Sequence, residues 1–255
     1  MRRRPRSIIL GLALVGIVAG SALLAPWLAP DPYRLDLGSI LAPPSAAHWL
    51  GTDGLGRDVA ARLCFGARVS LLIGFTAAFL SVLIGLPIGA IAGYAGGATD
   101  AAISRLIEAT LCFPSLVVTI ALSVIGWTPA ARYLRAEFRR LRTSPAIASA
   151  RAAGAGHFRI VFRHLLPQSL GPILVTLAFG VGAGALAEAT LSFVGVGISL
   201  PTASWGELLF QALHQVGRAW WLAFFPGVAL FTVVLGCNEL AEGIRVWLDP
   251  RRRSA

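Results

Sequence analysis

Glu188 is an ionisable residue in an otherwise apolar part of the chain, because it follows 23 uncharged positions, residues 165–187. A carboxylate in such surroundings is costly and needs a hydrogen-bond partner or water. Ser192 lies one helical turn later, so the two side chains can meet on one helix. The pair has two readings: part of the lining of a polar path through a membrane, or a hydrogen bond within a helix contact.

A second group of polar side chains combines histidine, aspartate and arginine: His48, Asp53, Arg57, Asp58 and Arg62. The acid and base at 53/57 are four residues apart, as are those at 58/62, and this spacing predicts two salt bridges if the segment is helical. His48 precedes Trp49, so it could contact a metal or a protein partner, or anchor the chain at a membrane interface. We predict a structural role for the charged set and no metal site.

The sequence lacks the motifs of several enzyme classes. It has no GxxxxGK[ST] segment and therefore no phosphate-binding loop for ATP. It has no HExxH motif, and its four histidines lie outside the apolar runs, which argues against an intramembrane protease. The three cysteines form no CxxC pair, so neither zinc nor a disulfide framework is predicted. We expect a protein that is not an enzyme and needs no cofactor.

The composition is typical of a membrane protein. Of the 255 residues, 56% are hydrophobic and 13% are charged, whereas a soluble domain carries about 25% charged residues. The net charge is +10, and every basic residue is an arginine. The arginines cluster at the ends of apolar runs, a pattern that indicates membrane topology and not nucleic-acid binding.

Long uncharged runs define the predicted fold, since a helix needs about 20 apolar residues to cross a bilayer. About five such runs occur, at residues 7–30, 69–99, 109–131, 165–187 and 219–238. We predict an all-α membrane protein, a polytopic helix bundle with spans near residues 7–29, 68–95, 165–190 and 219–240. The first run is predicted to be an uncleaved signal-anchor helix within residues 1–30. Glycines inside the runs, such as Gly85 and Gly89, are expected to allow close helix contact.

The arginine distribution predicts which segments stay in the cytoplasm. Residues 132–164 hold eight arginines against Glu137, whereas residues 31–68 and 189–218 are neutral. We predict that the basic loop and both termini are cytoplasmic and that the two neutral loops lie outside. Five full crossings would put the basic loop outside. We therefore expect the third run, with its short apolar core, to enter and leave on the same side.

The segment at residues 144–167 has the pattern of a helix–turn–helix between two apolar runs. Ser144 and Pro145 mark a helix start, and the next eight residues are rich in alanine. Gly154 permits a turn, a second helix is predicted at residues 157–166, and Pro167 follows. From physics alone, this segment could be an ordinary amphipathic linker at the membrane surface.

Several blocks of the sequence resemble one family of membrane proteins. Gly154 followed by Leu166-Pro167 is similar to the EAA loop of binding-protein-dependent ABC importers. HWLGTDGLGR at residues 48–57 resembles the first periplasmic loop of the dipeptide, oligopeptide and nickel permeases, and EATLSFVGVG at residues 188–197 resembles their fifth helix. A further block resembles their final helix and tail: residues 220–227, Asn238 and Asp249-Pro250. The resemblance covers nearly the whole chain from residue 30 onward.

The resemblance implies a permease of the type I ABC importer fold in the cell inner membrane, with a cytoplasmic N-terminus. It implies an anchor at residues 1–30, a periplasmic loop at 31–67 and a permease core at 68–255. The partners would be a sister permease in a heterodimer, two ATP-binding subunits and a periplasmic or lipid-anchored substrate-binding protein. The substrate would be di- or oligopeptides, with nickel as the alternative. The ATPase-coupling residues carried over are Ser149, Ala150, Arg151, Gly154, Arg159, Arg163 and Pro167.

This chain departs from the family pattern in two ways. The family loop opens with Glu-Ala-Ala, whereas this chain has Ala148-Ser149-Ala150, so an acidic contact is missing. Relatives place two spans between the Phe113-Pro114 motif and the basic loop. Here one compressed run is found, so a helix of about 20 residues is expected to be lost between residues 113 and 131. A degenerate, transport-incompetent permease paralogue is therefore a further reading.

Overall fold

The structure is a computed structural model that describes residues 6–111, 126–198 and 200–248. Among these residues the regular structure is helical, with one isolated bridge between Thr52 and Asp58. Two short turns accompany the α-helices: a 3₁₀ turn at Leu37–Ser39 and a π-helical turn at Val161–Leu165. The α-helices are α1 Arg6–Leu28, α2 Val59–Ala95, α3 Gly97–Leu111, α4 Trp127–Arg142, α5 Pro145–Ala152, α6 His157–Ile160, α7 Leu166–Gln168, α8 Leu170–Phe193, α9 Trp205–Ala212 and α10 Trp221–Leu248.

Four helices in the described part of the chain are long and apolar enough to cross a membrane: Arg6–Trp27, Val59–Ala95, Leu170–Phe193 and Trp221–Leu248. They match the four predicted spans and confirm an all-α membrane bundle. The expected loss of a helix between residues 113 and 131 falls mainly on residues 112–125, which lie outside the described residues. That expectation stays a prediction.

Helix α2 begins at Val59, earlier than the apolar run that starts at Val69. The carboxylate of Asp58 accepts a hydrogen bond from the backbone N–H of Ala61 at 2.9 Å, which caps the helix start. Arg62 then lies inside the helix with its charge paired by acidic side chains. Hydropathy alone misses these first turns because it scores the arginines as breaks in the span.

The chain folds as two compact units, one formed mainly by residues 77–180 and the other by residues 6–76 and 181–240. In the second unit, α1 and α10 approach closely at Gly11. A Cβ atom there would lie 2.5 Å from the backbone N of Leu240 and 2.7 Å from the carbonyl O of Gly236. One core cluster of this unit consists of small and medium side chains around Trp205: Val18, Ala22, Ala67, Ala185, Ala189, Trp205, Leu208, Leu230, Val233 and Cys237.

In the first unit, α4 packs against three glycines of α2 that recur every fourth residue: Gly85, Gly89 and Gly93. A Cβ atom on Gly85 would lie 2.8 Å from the backbone N of Ala131. On Gly89 it would lie 2.5 Å from the carbonyl O of Ala131, and on Gly93 2.5 Å from that of Arg135. The backbones therefore touch directly, as small residues allow in membrane helices. The prediction that Gly85 and Gly89 permit close contact is confirmed.

The direction of α4 follows from the same contacts. Residue numbers rise together along the two helices, so α2 and α4 run parallel and Ala95 and Arg142 lie at the same end. Helix α3 runs the other way, because Gly96 faces Arg142 whereas Asp100 contacts Arg135. From the end of α2 at Ala95 to the end of α4 at Arg142, the chain thus makes no net crossing. The basic loop after α4 lies at the end of the unit where α2 finishes.

Candidate functional site

The central loop forms the predicted helix–turn–helix. Helix α5 starts after Ser144, whose carbonyl accepts hydrogen bonds from the N–H groups of Ile147 and Ala148, both at 3.1 Å. Gly154 then adopts a φ of +78°, a left-handed conformation that favours glycine. A Cβ atom on Gly154 would meet nothing within 4 Å, so the requirement for glycine is conformational and not steric. The second helical segment begins at His157.

One face of the loop is anchored on the rest of its unit. The side chains that are buried together come from α4 and from both limbs of the loop: Phe138, Leu141, Ile147, Ile160 and Leu165. Leu86, Ala90 and Tyr94 of α2 pack against this cluster. The loop is therefore fixed on the ends of α2 and α4 by apolar contact, which favours a rigid element over a flexible linker.

The opposite face of the loop is exposed. Of the residues predicted to couple to an ATPase, six are exposed and Ala150 is half-buried: Ser149, Arg151, Gly154, Arg159, Arg163 and Pro167. Phe158 and Phe162 lie on this face as well, 76% and 54% exposed, with ring centroids 4.3 Å apart. An aromatic pair flanked by arginines is typical of protein contact surfaces.

The apolar residues of the loop's second limb lie on two different faces. Phe158 and Phe162 point outward, whereas Ile160 and Leu165 are buried. The cause is the π-helical turn at Val161–Leu165, in which residues five apart share a face. The i,i+4 spacing of the phenylalanines, repeated by Arg159 and Arg163, was the available signal.

Glu188 is buried and fully hydrogen-bonded. One carboxylate oxygen accepts a hydrogen bond from Ser70 and the other from Ser192, each at 2.9 Å. The two hydroxyls also accept, Ser70 from the N–H of Trp205 at 3.2 Å and Ser192 from that of Ile198 at 3.0 Å. Of the two readings of Glu188 and Ser192, this geometry corresponds to a hydrogen bond within a helix contact.

The outer polar group forms one of its two predicted salt bridges. Arg57 Nε lies 2.7 Å from Asp53 Oδ2, as expected. The predicted pairing of Asp58 with Arg62 is wrong, because Asp58 precedes α2 and caps it instead. Asp58 also lies 3.0 Å from His48 Nδ1. Among the described residues, no cluster of three or more potential metal ligands is found.

Arg62 pairs with acids that are distant in sequence. Its Nη2 donates a hydrogen bond to Glu207 Oε2 at 2.6 Å, and its Nε lies 3.6 Å from Asp53 Oδ2. The other carboxylate oxygen of Glu207 accepts a hydrogen bond from the side-chain amide of Gln211. Sequence spacing cannot reveal a pair whose members lie on α2 and α9.

A further charged contact holds α3 on α4. Arg135 donates two hydrogen bonds to Asp100, one of them from Nη2 at 2.8 Å, and Arg139 Nη1 lies 3.7 Å away. The hydrogen bond from Arg135, aided by the positive charges around it, lowers the pKa of the Asp100 carboxyl below its usual value.

Comparison with known proteins identifies the family. Residues 85–254 match the model for the binding-protein-dependent transport system inner membrane component. The chain belongs to this family. Members of this transport family are permease components and not catalytic subunits, which agrees with the absence of enzyme motifs in the sequence.

Individual family members match the chain over most of its length. A protein of Brucella suis biovar 1 is 39% identical, with 97% of this chain and 89% of the relative aligned. The dipeptide transport system permease protein of Bacillus subtilis is 36% identical, over 95% of this chain and 81% of the relative. The oligopeptide transport system permease protein of the same organism is 33% identical, over 98% and 88%.

The alignments also bear on the length of this family member. They span 264, 260 and 267 positions for these three relatives, and all three spans exceed the 255 residues of the chain. All three relatives therefore carry residues that this chain lacks. This agrees with a compressed segment, although the alignments do not place it.

Proposed function

We propose that the chain is a permease subunit of an ATP-driven importer of di- and oligopeptides. The support for peptides is the family match together with relatives that are named for dipeptide and oligopeptide transport. In this proposal the protein supplies part of the membrane path, and separate subunits bind and hydrolyse ATP. A sister permease completes a heterodimer, and a substrate-binding protein delivers the peptide.

The observation that carries the proposal is the two-sided central loop. Its inner face packs on α2 and α4, while its outer face presents arginines and the Phe158–Phe162 pair. We expect the outer face to dock on an ATP-binding subunit, with Arg151, Arg159 and Arg163 making polar contacts. Movement of the ATPase would then pass to the membrane helices through a rigid element.

Substitution of Gly154 tests the docking role. Gly154→Val places a β-branched residue at a φ of +78°, which should distort the turn without filling any occupied space. Gly156→Val is the matched control, because Gly156 is extended at φ −67° and also has nothing within 4 Å. We expect Gly154→Val to insert in the membrane but to lose ATPase co-purification and uptake. Unchanged co-purification and uptake would refute the docking role.

We further propose that the loop and both termini are cytoplasmic, on the support of the arginine clustering. Single cysteines in a background without native cysteines test this orientation. Ser149→Cys should react with a membrane-impermeant thiol reagent only in inverted vesicles. Gly54→Cys, in an exposed and open part of the outer loop, should react in intact cells. The reverse labelling pattern would overturn the orientation.

A second candidate function is that of a permease paralogue that does not transport. The alignments longer than the chain favour it, as does Ala148 in place of the acidic residue of the family loop. A missing helix would open the bundle wall to lipid, which is costly for polar backbone. Complementation of a strain lacking the cognate permease, with all partners supplied, separates the candidates. Growth at the full-length rate excludes this second candidate, and weak or absent growth supports it.

A further inference from the structure

Tyr94 contacts three other helices, α4, α5 and α6, at the base of the central loop. It lies in the last turn of α2, which ends at Ala95. Its hydroxyl oxygen lies 2.7 Å from Nδ1 of His157, the first residue of α6. Its ring lies 5.8 Å from the guanidinium carbon of Arg151, in the last turn of α5. Its carbonyl oxygen accepts a hydrogen bond of 2.8 Å from Arg142, the last residue of α4.

The two side-chain contacts of Tyr94 lie on opposite sides of the Gly154 turn. Arg151 precedes the turn and His157 follows it, so one phenol ring joins both limbs of the hairpin. The His157 ring also meets the Tyr94 ring edge to face, with centroids 5.7 Å apart. A cation over an aromatic face and an edge-to-face ring pair are both directional contacts, which resist rotation as well as separation.

The apolar core under the loop does not by itself give this directionality. Hydrophobic contact is non-directional, and the anchoring cluster around Phe138 and Ile147 would tolerate small sliding of the loop. The hydroxyl–imidazole contact fixes the distance between α2 and α6. The carbonyl of Tyr94 fixes α2 to the end of α4 at the same residue.

We infer that Tyr94 is a positioning residue that transmits displacement of the central loop to α2. This inference rests on the proposed function, because it names the residue through which a movement of the ATPase would reach α2. Tyr94 itself need not touch the ATPase or the substrate. Loss of its hydroxyl should leave docking intact and reduce the share of ATP hydrolysis that drives transport.

The test uses the complete transporter in proteoliposomes, with uptake and ATP hydrolysis measured on the same samples. Loss of one such hydrogen bond shifts a conformational equilibrium by roughly fivefold. We therefore expect Tyr94→Phe to lower the number of substrates imported per ATP by about that factor. Co-purification of the ATP-binding subunits should stay at the wild-type level. Tyr133→Phe removes the hydroxyl of an exposed tyrosine on α4; it is the control and should change neither quantity.

His157 variants separate positioning from mere stability. Gln at position 157 can hydrogen-bond the Tyr94 hydroxyl, whereas Leu cannot. We expect His157→Gln to import as many substrates per ATP as the wild type. His157→Leu should show the same reduced number as Tyr94→Phe. The double variant Tyr94→Phe/His157→Leu should be no worse than either single variant, as for two partners of one contact.

The possible outcomes keep the two proposals apart. The inference would be overturned if Tyr94→Phe imported as many substrates per ATP as the wild type, or if the losses of the two single variants added up in the double variant. Either result would leave the proposed function standing. Failure of the wild-type chain to bind any ATP-binding subunit would overturn the proposed function, and the inference with it.

Discussion

The guanidinium of Arg62 and the carboxylate of Glu207 are 2.6 Å apart, although 145 positions separate them in the sequence. Both side chains are almost completely buried. Asp53 and Arg57 lie beside them, and Arg57 also hydrogen-bonds Gln211 at 3.2 Å. Two acids thus balance two bases, and the group joins the outer loop to the starts of α2 and α9.

Removal of Glu207 should be strongly destabilising, because it leaves the buried guanidinium of Arg62 without its nearest partner. We expect Glu207→Ala to lower the free energy of unfolding by about 3–5 kcal/mol. Replacement of both partners by leucine should cost less than the single change. Glu242→Ala, which breaks an exposed pair with Arg245, should cost about 0–1 kcal/mol. Unfolding in detergent measures all three, and equal losses at the buried and exposed pairs would contradict the prediction.

A methyl group at Gly89 should push α4 away from α2. Its Cβ would lie 2.5 Å from the carbonyl oxygen of Ala131, which cannot move without shifting the helix. We expect Gly89→Ala to reduce the free energy of unfolding by about 1–3 kcal/mol. Gly20→Ala in α1, where nothing lies within 4 Å, should be neutral or slightly stabilising. Thermal unfolding of the purified chain compares the two variants. Equal stability of Gly89→Ala and Gly20→Ala would show that α2 and α4 can move apart without cost.

Glu188 and Ser192 remain candidates for the translocation path, and substitution distinguishes this role from a helix contact. Glu188→Ala should cost about 1–3 kcal/mol, because it leaves the Ser70 and Ser192 hydroxyls without their shared acceptor. Glu188→Gln keeps a hydrogen-bonding group of the same shape, so we expect near wild-type stability and uptake. If Glu188→Gln assembles normally but abolishes uptake, the negative charge of Glu188 has a role in the translocation path instead.

Acid should weaken the contact between α3 and α4 through Asp100. The folded-state pKa of Asp100 lies below its usual value of 3.8 because Arg135 hydrogen-bonds the ionised form. The stabilisation is therefore complete above that usual value and is lost as the pH falls through the folded-state pKa. We expect Asp100→Asn to lower the melting temperature at neutral pH and to flatten its decline in acid. Asp31→Asn, in the exposed outer loop, is the control. An unchanged acid decline in Asp100→Asn would contradict the assignment.

The sequence predicts the long helices well because apolar length is a local property. The turn at Gly154 is equally local, since a glycine after an alanine-rich helix is a common stop signal. Helix α4 was not predicted, although Leu134, Phe138 and Leu141 already follow a helical period among the arginines. The Arg62–Glu207 pair could not be predicted, because only the fold brings two distant positions together. The shared burial of Ile160 and Leu165, five residues apart, depends on a π-helical turn, which the ordinary helical period does not describe.

The parallel course of α2 and α4 has a consequence for how such a chain can change length over generations. A deletion that removes one crossing inverts the orientation of everything translated after it, and the insertion machinery would then meet arginines on the wrong side. The chain leaves one end of its unit at Ala95 and is back at that end at Arg142, so an excision between these two residues that removes equal lengths of outgoing and returning chain leaves the orientation of later segments untouched. This stretch is therefore a place where the gene can lose codons while Gly154 and its neighbours stay on the same side of the membrane.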